Sequence, residues 1–412
     1  MIGLSRVFAA GTAPLLAIAL VACSGGGNAH SGEFVIGGEC AMPAGPLAVA
    51  ISRRANSPGD LPVPVSQIVQ RFITRIPAGV TGPTLSLINV DGRSRVYQHG
   101  NFFSDSGNDE GLQDDQQKFL AGFTSTAAAM RAAEPEVDVL GALEEAGNAA
   151  GAGRPAAGTV VLVDSGLSTT GALDFSQPGM LDAPADDLIS SLRRTKALPH
   201  LSGLTVALVG VGEVARPQQK LGTRQPGLAE LWTQIAKASG AACVTSVEVT
   251  RSDDPVDGQV KPVKLVPVPS PVVVHPHGIV LLDAGEVRFE EGQAAFRDRK
   301  AARTALEPIA APLKNQPSHH LRLIGTTARW GSRDYQLDLA RRRAETVKQE
   351  LVGLGANPNQ IETRGLGSYF AQYVPDNGPG GVLLPGPAQQ NRTVRIESCD
   401  PTCPPDPAAP PA

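Results

Sequence analysis

Aromatic side chains are scarce in this chain, at 4 % of its 412 residues, and its charges nearly cancel, with 36 lysines and arginines against 40 aspartates and glutamates. A basic excess is what draws a protein onto a polyanion, so its lack excludes nucleic acid as a partner. Past the first twenty-two residues, no segment approaches the run of about eighteen apolar residues that reads as a membrane-spanning helix. Cysteine is also rare. There are five, with no histidine near any of them and no zinc-type spacing, so no metal site is expected. Glycine (45) and proline (35) are abundant instead, which suits long connecting segments. The length leaves room for two domains beyond any leader.

Met1 to Ala22 carries one basic residue, Arg6, followed by an apolar run from Val7 to Leu20. That run is too short for a comfortable span and has the length of a signal-peptide core. It ends in Leu20-Val21-Ala22-Cys23, which resembles the lipobox of bacterial lipoproteins. The resemblance implies cleavage before Cys23 and lipidation of its thiol, palmitate included, with membrane lipid as the partner. Each buried methylene contributes about 0.8 kcal/mol, so the acyl chains would hold the mature chain on a membrane. Residues 23–45, which open with Ser24-Gly25-Gly26-Gly27, read as a flexible tether.

From Pro46 to Thr250 short apolar runs alternate with helical spacing. Leu47–Ile51, Thr159–Val163, Leu204–Val209 and Cys243–Val249 are expected as strands, and Gln116–Arg131, Val137–Ala149, Leu188–Arg194 and Leu228–Ser239 as helices. Thr84–Val90 and Arg95–Tyr97 flank Asp91-Gly92, a hairpin signal. The alternation predicts an α/β fold with a doubly wound, parallel-rich sheet covered on both faces. Val160–Gly166, and Leu204–Gly212 followed by Leu228–Ala242, resemble the late strands of the von Willebrand factor A-like fold. That family's metal site needs D-x-S-x-S after the first strand. Here the stretch is Ile51-Ser52-Arg53-Arg54-Ala55-Asn56-Ser57, without a carboxylate and with two arginines that would repel a cation. The domain is therefore expected to hold no metal and to bind a protein partner or serve structurally. Gly210-Val211-Gly212 lacks the third glycine of a dinucleotide loop. Ser165 follows Asp164 at a strand end but lacks G-x-S-x-G, and His200 is the only histidine nearby in sequence. No catalytic residue is expected. His275-Pro276-His277 and His319-His320 read as surface residues at strand starts.

Lys261–Val274 alternates proline with valine, and residues 251–277 are expected to form a semi-rigid linker. Beyond it, Ile279–Leu282 and Val287–Phe289 resemble the entry of an OmpA-like domain, with Phe289 in the place of its phenylalanine before a polar turn, and Ala301–Lys314 reads as a helix. Leu321 and Leu323 predict a buried strand that ends in the turn Gly325–Ser332. The helix that follows has one core-facing stripe of Leu337, Ala340, Ala344, Val347, Leu351 and Leu354. Arg341, Arg342 and Arg343 fill much of the remaining turn, so at least one of them lies near the strand end. Ile361–Gly365 and Thr393–Glu397 complete the strands around a Gly/Pro-rich loop, Ser368–Gln390. The tail, 399–412, is Pro/Ala-rich and expected to be disordered.

Gly325, Thr327, Gly331, Ser332, Tyr335, Leu339, Arg343, Ala344 and Val347 fall at the spacing of G-H-T-D-x-x-G-S-x-x-Y-N-x-x-L-S-x-x-R-A-x-x-V. Gly365-Leu366-Gly367-Ser368 and Asn391-Arg392-Thr393-Val394 follow where G-x-G and N-R-R-V would stand. Residues 278–398 thus resemble the OmpA-like peptidoglycan-binding domain, an α+β fold of βαβαβ order. The resemblance implies that Arg343 grips the diamino acid of the peptidoglycan stem peptide without a cofactor. Gly325, Thr327, Gly331, Leu339, Asn391 and Arg392 would build the rest of the site. A zwitterionic amino-acid end needs a cation for its carboxylate and an acceptor for its ammonium, and Arg343 offers a bidentate fork for the first. The family's aspartate is Ala328 here and the histidine before it is Thr326, so the acceptor has to come from elsewhere. Asp334, Asp338 and Asn391 are the candidates in the sequence.

Besides Cys23, the cysteines are Cys40, Cys243, Cys399 and Cys403, which can pair in three ways in an exported chain. Cys399 and Cys403 bound a short loop, which leaves Cys40 with Cys243 as the pairing expected. The whole reads as a lipid-anchored envelope protein tethering membrane to cell wall without a reaction. The alternative is an assembly or signalling module whose C-terminal domain recognises a protein, and Ala328 favours it.

Overall fold

The computed structural model describes residues 35–155, 158–258, 260–268, 272–274, 279–282, 287–290 and 292–399. The leader, Cys23, His275, His277 and the tail with Cys403 lie outside them. Two compact units share the chain. One takes the chain up to Gly171 with Leu198–Lys220 and Gln225–Leu265; the other takes Ala172–Ala197, Leu221–Arg224 and the chain from Val266. The second unit thus draws two segments from the stretch that the sequence assigns whole to the middle domain.

In the first unit a small hairpin, β1 (Val35–Ile36) and β2 (Cys40–Ala41), precedes a six-stranded sheet. Its strands are β3 (Leu47–Ile51), β4 (Thr84–Asn89), β5 (Arg95–Asn101), β6 (Thr159–Val163), β7 (Thr205–Val209) and β8 (Cys243–Val247), in the order β5-β4-β3-β6-β7-β8. All neighbours run parallel except the edge strand β5, which is antiparallel to β4. The apolar runs β3, β6 and β7 are buried along their whole length, as strands covered on both faces must be. Edge strand β5 alternates exposed and half-buried positions.

Three helices of this unit interrupt the first strands: α1 (Val63–Thr74), α2 (Asp109–Ala129) and α3 (Val139–Ala149). The unforeseen α1 has a plain stripe of Val65, Ile68, Val69, Phe72 and Ile73, with a proline placed in its first turn, where a missing N–H is harmless. The helix α2 begins before the expected Gln116 because Asn108 caps it, its side chain accepting from the Gly111 N–H at 2.7 Å. Val49, Ile51, Ile68, Phe72, Leu87, Val161 and Phe123 share one core. The helix α4 (Ala185–Thr195) follows β6 in sequence but belongs to the second unit, whereas α5 (Gln225–Ala238) lies in the first. Cys40 is bonded to Cys243, tying β2 to the start of β8. Cys399 is disulfide-bonded as well, and its expected partner, Cys403, lies outside the described residues. Part of the presumed linker lies against the first unit, with the Lys264 backbone N–H donating to the Pro135 carbonyl (3.4 Å) and Nζ to that of Thr169 (3.3 Å).

The second unit holds β9 (Val272–Val274), β10 (Ile279–Leu282), α6 (Arg299–Asn315), β11 (His320–Thr326), α7 (Arg333–Gly353), β12 (Ile361–Gly367) and a short pair β13 (Asn377–Gly378) and β14 (Val382–Leu383). Then come α8 (Pro385–Asn391) and β15 (Val394–Cys399). Its five-stranded sheet runs β12-β11-β15-β10-β9, parallel only between β11 and β12. Leu306, Leu313, Leu321, Leu323, Val347, Leu351 and Ile396 are packed in its core. Phe289 makes an isolated bridge with Phe296. One expectation fails locally: the presumed loop 368–390 contains β13, β14 and most of α8.

Glu350 fastens α7 to α6. Its side chain is 3 % exposed and receives Arg299 Nε (2.9 Å) and Arg303 Nη1 (2.7 Å). Burial pushes its carboxyl up, but the two guanidinium hydrogen bonds outweigh this and hold it below the usual carboxylate range. A depressed folded pKa means that this stabilisation is present above the unfolded value, near pH 4, and is lost as pH falls through the folded one. Both arginines are substantially exposed, which discounts the pairs, so Glu350→Gln should cost only about 1 kcal/mol at pH 7. Urea unfolding should show that difference shrinking to nothing on acidification below about pH 4. An equal gap at every pH would remove the charge from this account.

Candidate functional site

The guanidinium of Arg343 is drawn inward from α7. Ser332 caps that helix, its Oγ accepting from the Tyr335 N–H at 3.2 Å. Gly331 reverses the chain just before the cap at φ +75°, a backbone region open to glycine. From this start, position 343 falls on the buried face beside Leu339, Ala340 and Ala344, while Arg341 and Arg342 face solvent. Arg343 is 4 % exposed. Its Cζ lies 5.1 Å from the centroid of the Phe289 ring, and Nε donates to the Gln293 carbonyl at 3.0 Å. Among the described residues, no carboxylate pairs with it and no acceptor meets its Nη atoms. Burial, then the neighbouring Arg392, pull its pKa down to about 10, still well above neutrality, so it remains a cation.

The free edge of Arg343 faces a cavity of about 330 Å³. Thr327, Leu339 and Arg392 line it too, as do Gln336, Arg288 and Ala328. Two polar atoms in this wall are buried without a partner, Thr327 Oγ1 and Gln336 Oε1. Leaving such buried polar atoms unpaired is costly. The Gln336 amide nitrogen, by contrast, already donates to the Gly331 carbonyl at 3.0 Å.

Three of the expected site residues do not line the cavity. At Gly325 a Cβ would sit 1.9 Å from the Ala340 carbonyl oxygen, so this glycine permits β11 to pack closely on α7. Gly331 shapes the turn. Asn391 is fully buried and braces the loop before α8, accepting the Val374 N–H (2.9 Å) and donating to the Val374 carbonyl (2.7 Å) and to Asp376 Oδ2 (3.0 Å). Asp376, also fully buried, accepts the Arg329 N–H at 2.9 Å and the Tyr373 hydroxyl, fixing the turn from behind. Burial, then the hydrogen bond to Asp376, push the Tyr373 hydroxyl up to about 12.

Neither Asp334 nor Asp338 lines the cavity, and Asp338 pairs at the surface with Arg341 (3.1 Å) and Arg342 (2.8 Å). Among the described residues, the acids that line the cavity are Asp182 and Asp187, from the segment around α4. Asp182 Oδ1 takes Arg224 Nε and Arg288 Nη2, both at 2.9 Å, and Oδ2 takes Arg224 Nη2 at 3.4 Å. Asp187 Oδ2 lies 2.5 Å from Arg392 Nη1. No sequence signal pointed to either acid, because contacts between distant segments leave no periodicity to read.

Residues 288–379 match the OmpA family. No curated protein matches the chain. The OmpA-like domain resembles the periplasmic domain of MotB from Helicobacter pylori, at 20 % identity and a TM-score of 0.25 over 32 % of this chain and 82 % of that one. It also resembles the peptidoglycan-associated lipoprotein of Burkholderia pseudomallei, at 28 % identity and a TM-score of 0.22 over 27 % of this chain and 86 % of that one. The OmpA-like domain of FopA1 from Francisella tularensis aligns at 21 % identity and a TM-score of 0.23 over 31 % and 79 % of the two chains.

The first unit has its own natural ligand position, outside the carboxyl ends of β3 and β6, where the strand order reverses. Arg54 fills it. Its Nη2 lies 2.7 Å from Asp164 Oδ2, with the two side chains 2 % and 0 % exposed. Ser165 comes next, its Oγ accepting the Leu167 N–H at 3.4 Å. His200 lies beside Gly153, near the opposite end of β6.

Proposed function

We propose that the chain is a cell-envelope protein whose OmpA-like domain binds peptidoglycan non-covalently through Arg343. A lipid on Cys23 would complete a tether between membrane and wall, an inference carried by the residue order at 20–23 alone. The observation that carries the binding reading is a buried arginine with no carboxylate partner among the described residues, its Nη edge open to a cavity. A peptide carboxylate would satisfy that edge with a bidentate pair. No catalytic role is assigned to Asp164 or Ser165, since the first is paired with Arg54 and His200 lies towards the other end of the strand. The first unit's sheet order supports its likeness to a von Willebrand A-like domain, with a structural or protein-binding role.

Insoluble peptidoglycan should sediment the full-length chain, and Arg343→Ala should weaken this about tenfold or more. Arg343→Lys should restore little, because an ammonium lacks the fork. Thermal unfolding of each variant separates loss of the site from loss of the fold. A wild-type chain that stays in the supernatant would leave the second reading, an assembly module recognising a protein, which Ala328 favours.

A further inference from the structure

We propose that the acidic half of this site is Asp187, brought from α4 to stand in for the carboxylate that Ala328 lacks. The proposal rests on the reading of Arg343 as a peptide-carboxylate receptor. Ala328 is buried in the cavity wall and offers no side-chain acceptor. Of the two acids that line the cavity, Asp182 has both oxygens engaged by arginines. Asp187 uses only Oδ2, on Arg392, and its Oδ1 meets no donor among the described residues. The segment carrying it is closely seated. Gln390 Nε2 donates to the Pro178 carbonyl at 3.1 Å, and a Cβ on Gly179 would lie 2.2 Å from the Gly386 carbonyl oxygen in α8.

One cavity thus presents a free guanidinium edge on Arg343 and a free carboxylate oxygen on Asp187. That set fits a zwitterionic amino-acid end, with its carboxylate on Arg343 and its ammonium on Asp187 Oδ1. An acid at the usual turn position is then unnecessary. The site is also incomplete in any fragment that begins at the OmpA-like domain.

The test compares a soluble stem peptide ending in a free diamino acid with the same peptide acetylated on its side-chain amine. Calorimetric titration into the full-length chain should favour the free amine by about tenfold. Asp187→Asn should bind both peptides alike, and Asp187→Glu should recover the preference. Equal binding of the two peptides by the wild-type chain would overturn the assignment to Asp187 and leave the peptide reading of Arg343 standing. An Asp187→Asn variant that weakens both peptides yet keeps the preference would overturn it too, reducing Asp187 to a support for Arg392. If the wild-type chain bound neither peptide, both readings would fall together.

Discussion

Replacing Cys40 and Cys243 by alanine should lower the stability of the first unit by up to about 5 kcal/mol. The bond links residues 203 apart in sequence, and the chain-entropy cost of an open loop grows with the logarithm of that length. The figure is an upper value, because denatured chains stay partly compact and because engineered and native bridges commonly contribute about 2–5 kcal/mol. Locally, the bond pins the β1–β2 hairpin to the sheet, where the Thr205 hydroxyl also donates to the Ala41 carbonyl at 3.1 Å. Urea unfolding followed by circular dichroism is the measurement. A reductant should destabilise the wild-type first unit by a similar amount and leave that of the double variant unmoved, since the remaining bond of Cys399 lies in the second unit. If the variant unfolded at the wild-type midpoint, the bridge would contribute nothing in solution. A bridge of this kind persists in an oxidising compartment, which agrees with the export read from residues 1–22.

The elements legible in the sequence were those whose signal is local. Strands β3 and β6 were placed residue for residue, because burial on both faces demands an unbroken apolar run with polar or turn residues at its ends. The helix α7 was legible from its apolar stripe, of which Ala340, Ala344, Val347 and Leu351 are buried, while Leu337 and Leu354 are only half-buried. Proline hid α1, and glycine with proline hid the seven-residue α8, since both residue types read first as turn formers. The candidate site divides in the same way. Arg343, Thr327 and Leu339 sit within one strand–turn–helix unit, where spacing decides position, and all three line the cavity. Gly325 and Asn391 share the motif but act through packing and bracing, a distinction that spacing cannot draw. Phe289, placed by resemblance at the entry of the domain, lies beneath the Arg343 guanidinium, a contact that spacing does not reveal. Asp182 and Asp187 reach the cavity from far upstream, and only the folded chain brings them there.

The second large effect is expected at Arg54 and Asp164. The pair is sealed from water and embedded in further hydrogen bonds. Arg54 Nε donates to Ser52 Oγ (2.7 Å), the Ser52 and Ser57 hydroxyls lie 2.7 Å apart, and Asp164 Oδ1 accepts the Gly166 N–H (2.6 Å). Removing one partner leaves the other charge buried and uncompensated, so Arg54→Met should cost about 3–5 kcal/mol. Removing both charges should be far milder, because apolar replacements of similar size commonly match a buried ion pair. The double variant Arg54→Met/Asp164→Leu should therefore recover most of the loss, and a double-mutant cycle from urea unfolding would report the coupling. A double variant as unstable as the single one would mean that Arg54 matters for its packing and not for its charge. The outcome bears on function as well as stability. A cation site at this switch point would need its carboxylate free, whereas here the guanidinium of Arg54 already neutralises Asp164 from within the chain. A strong coupling energy would therefore mark the first unit as one whose ligand position has been closed by its own side chain.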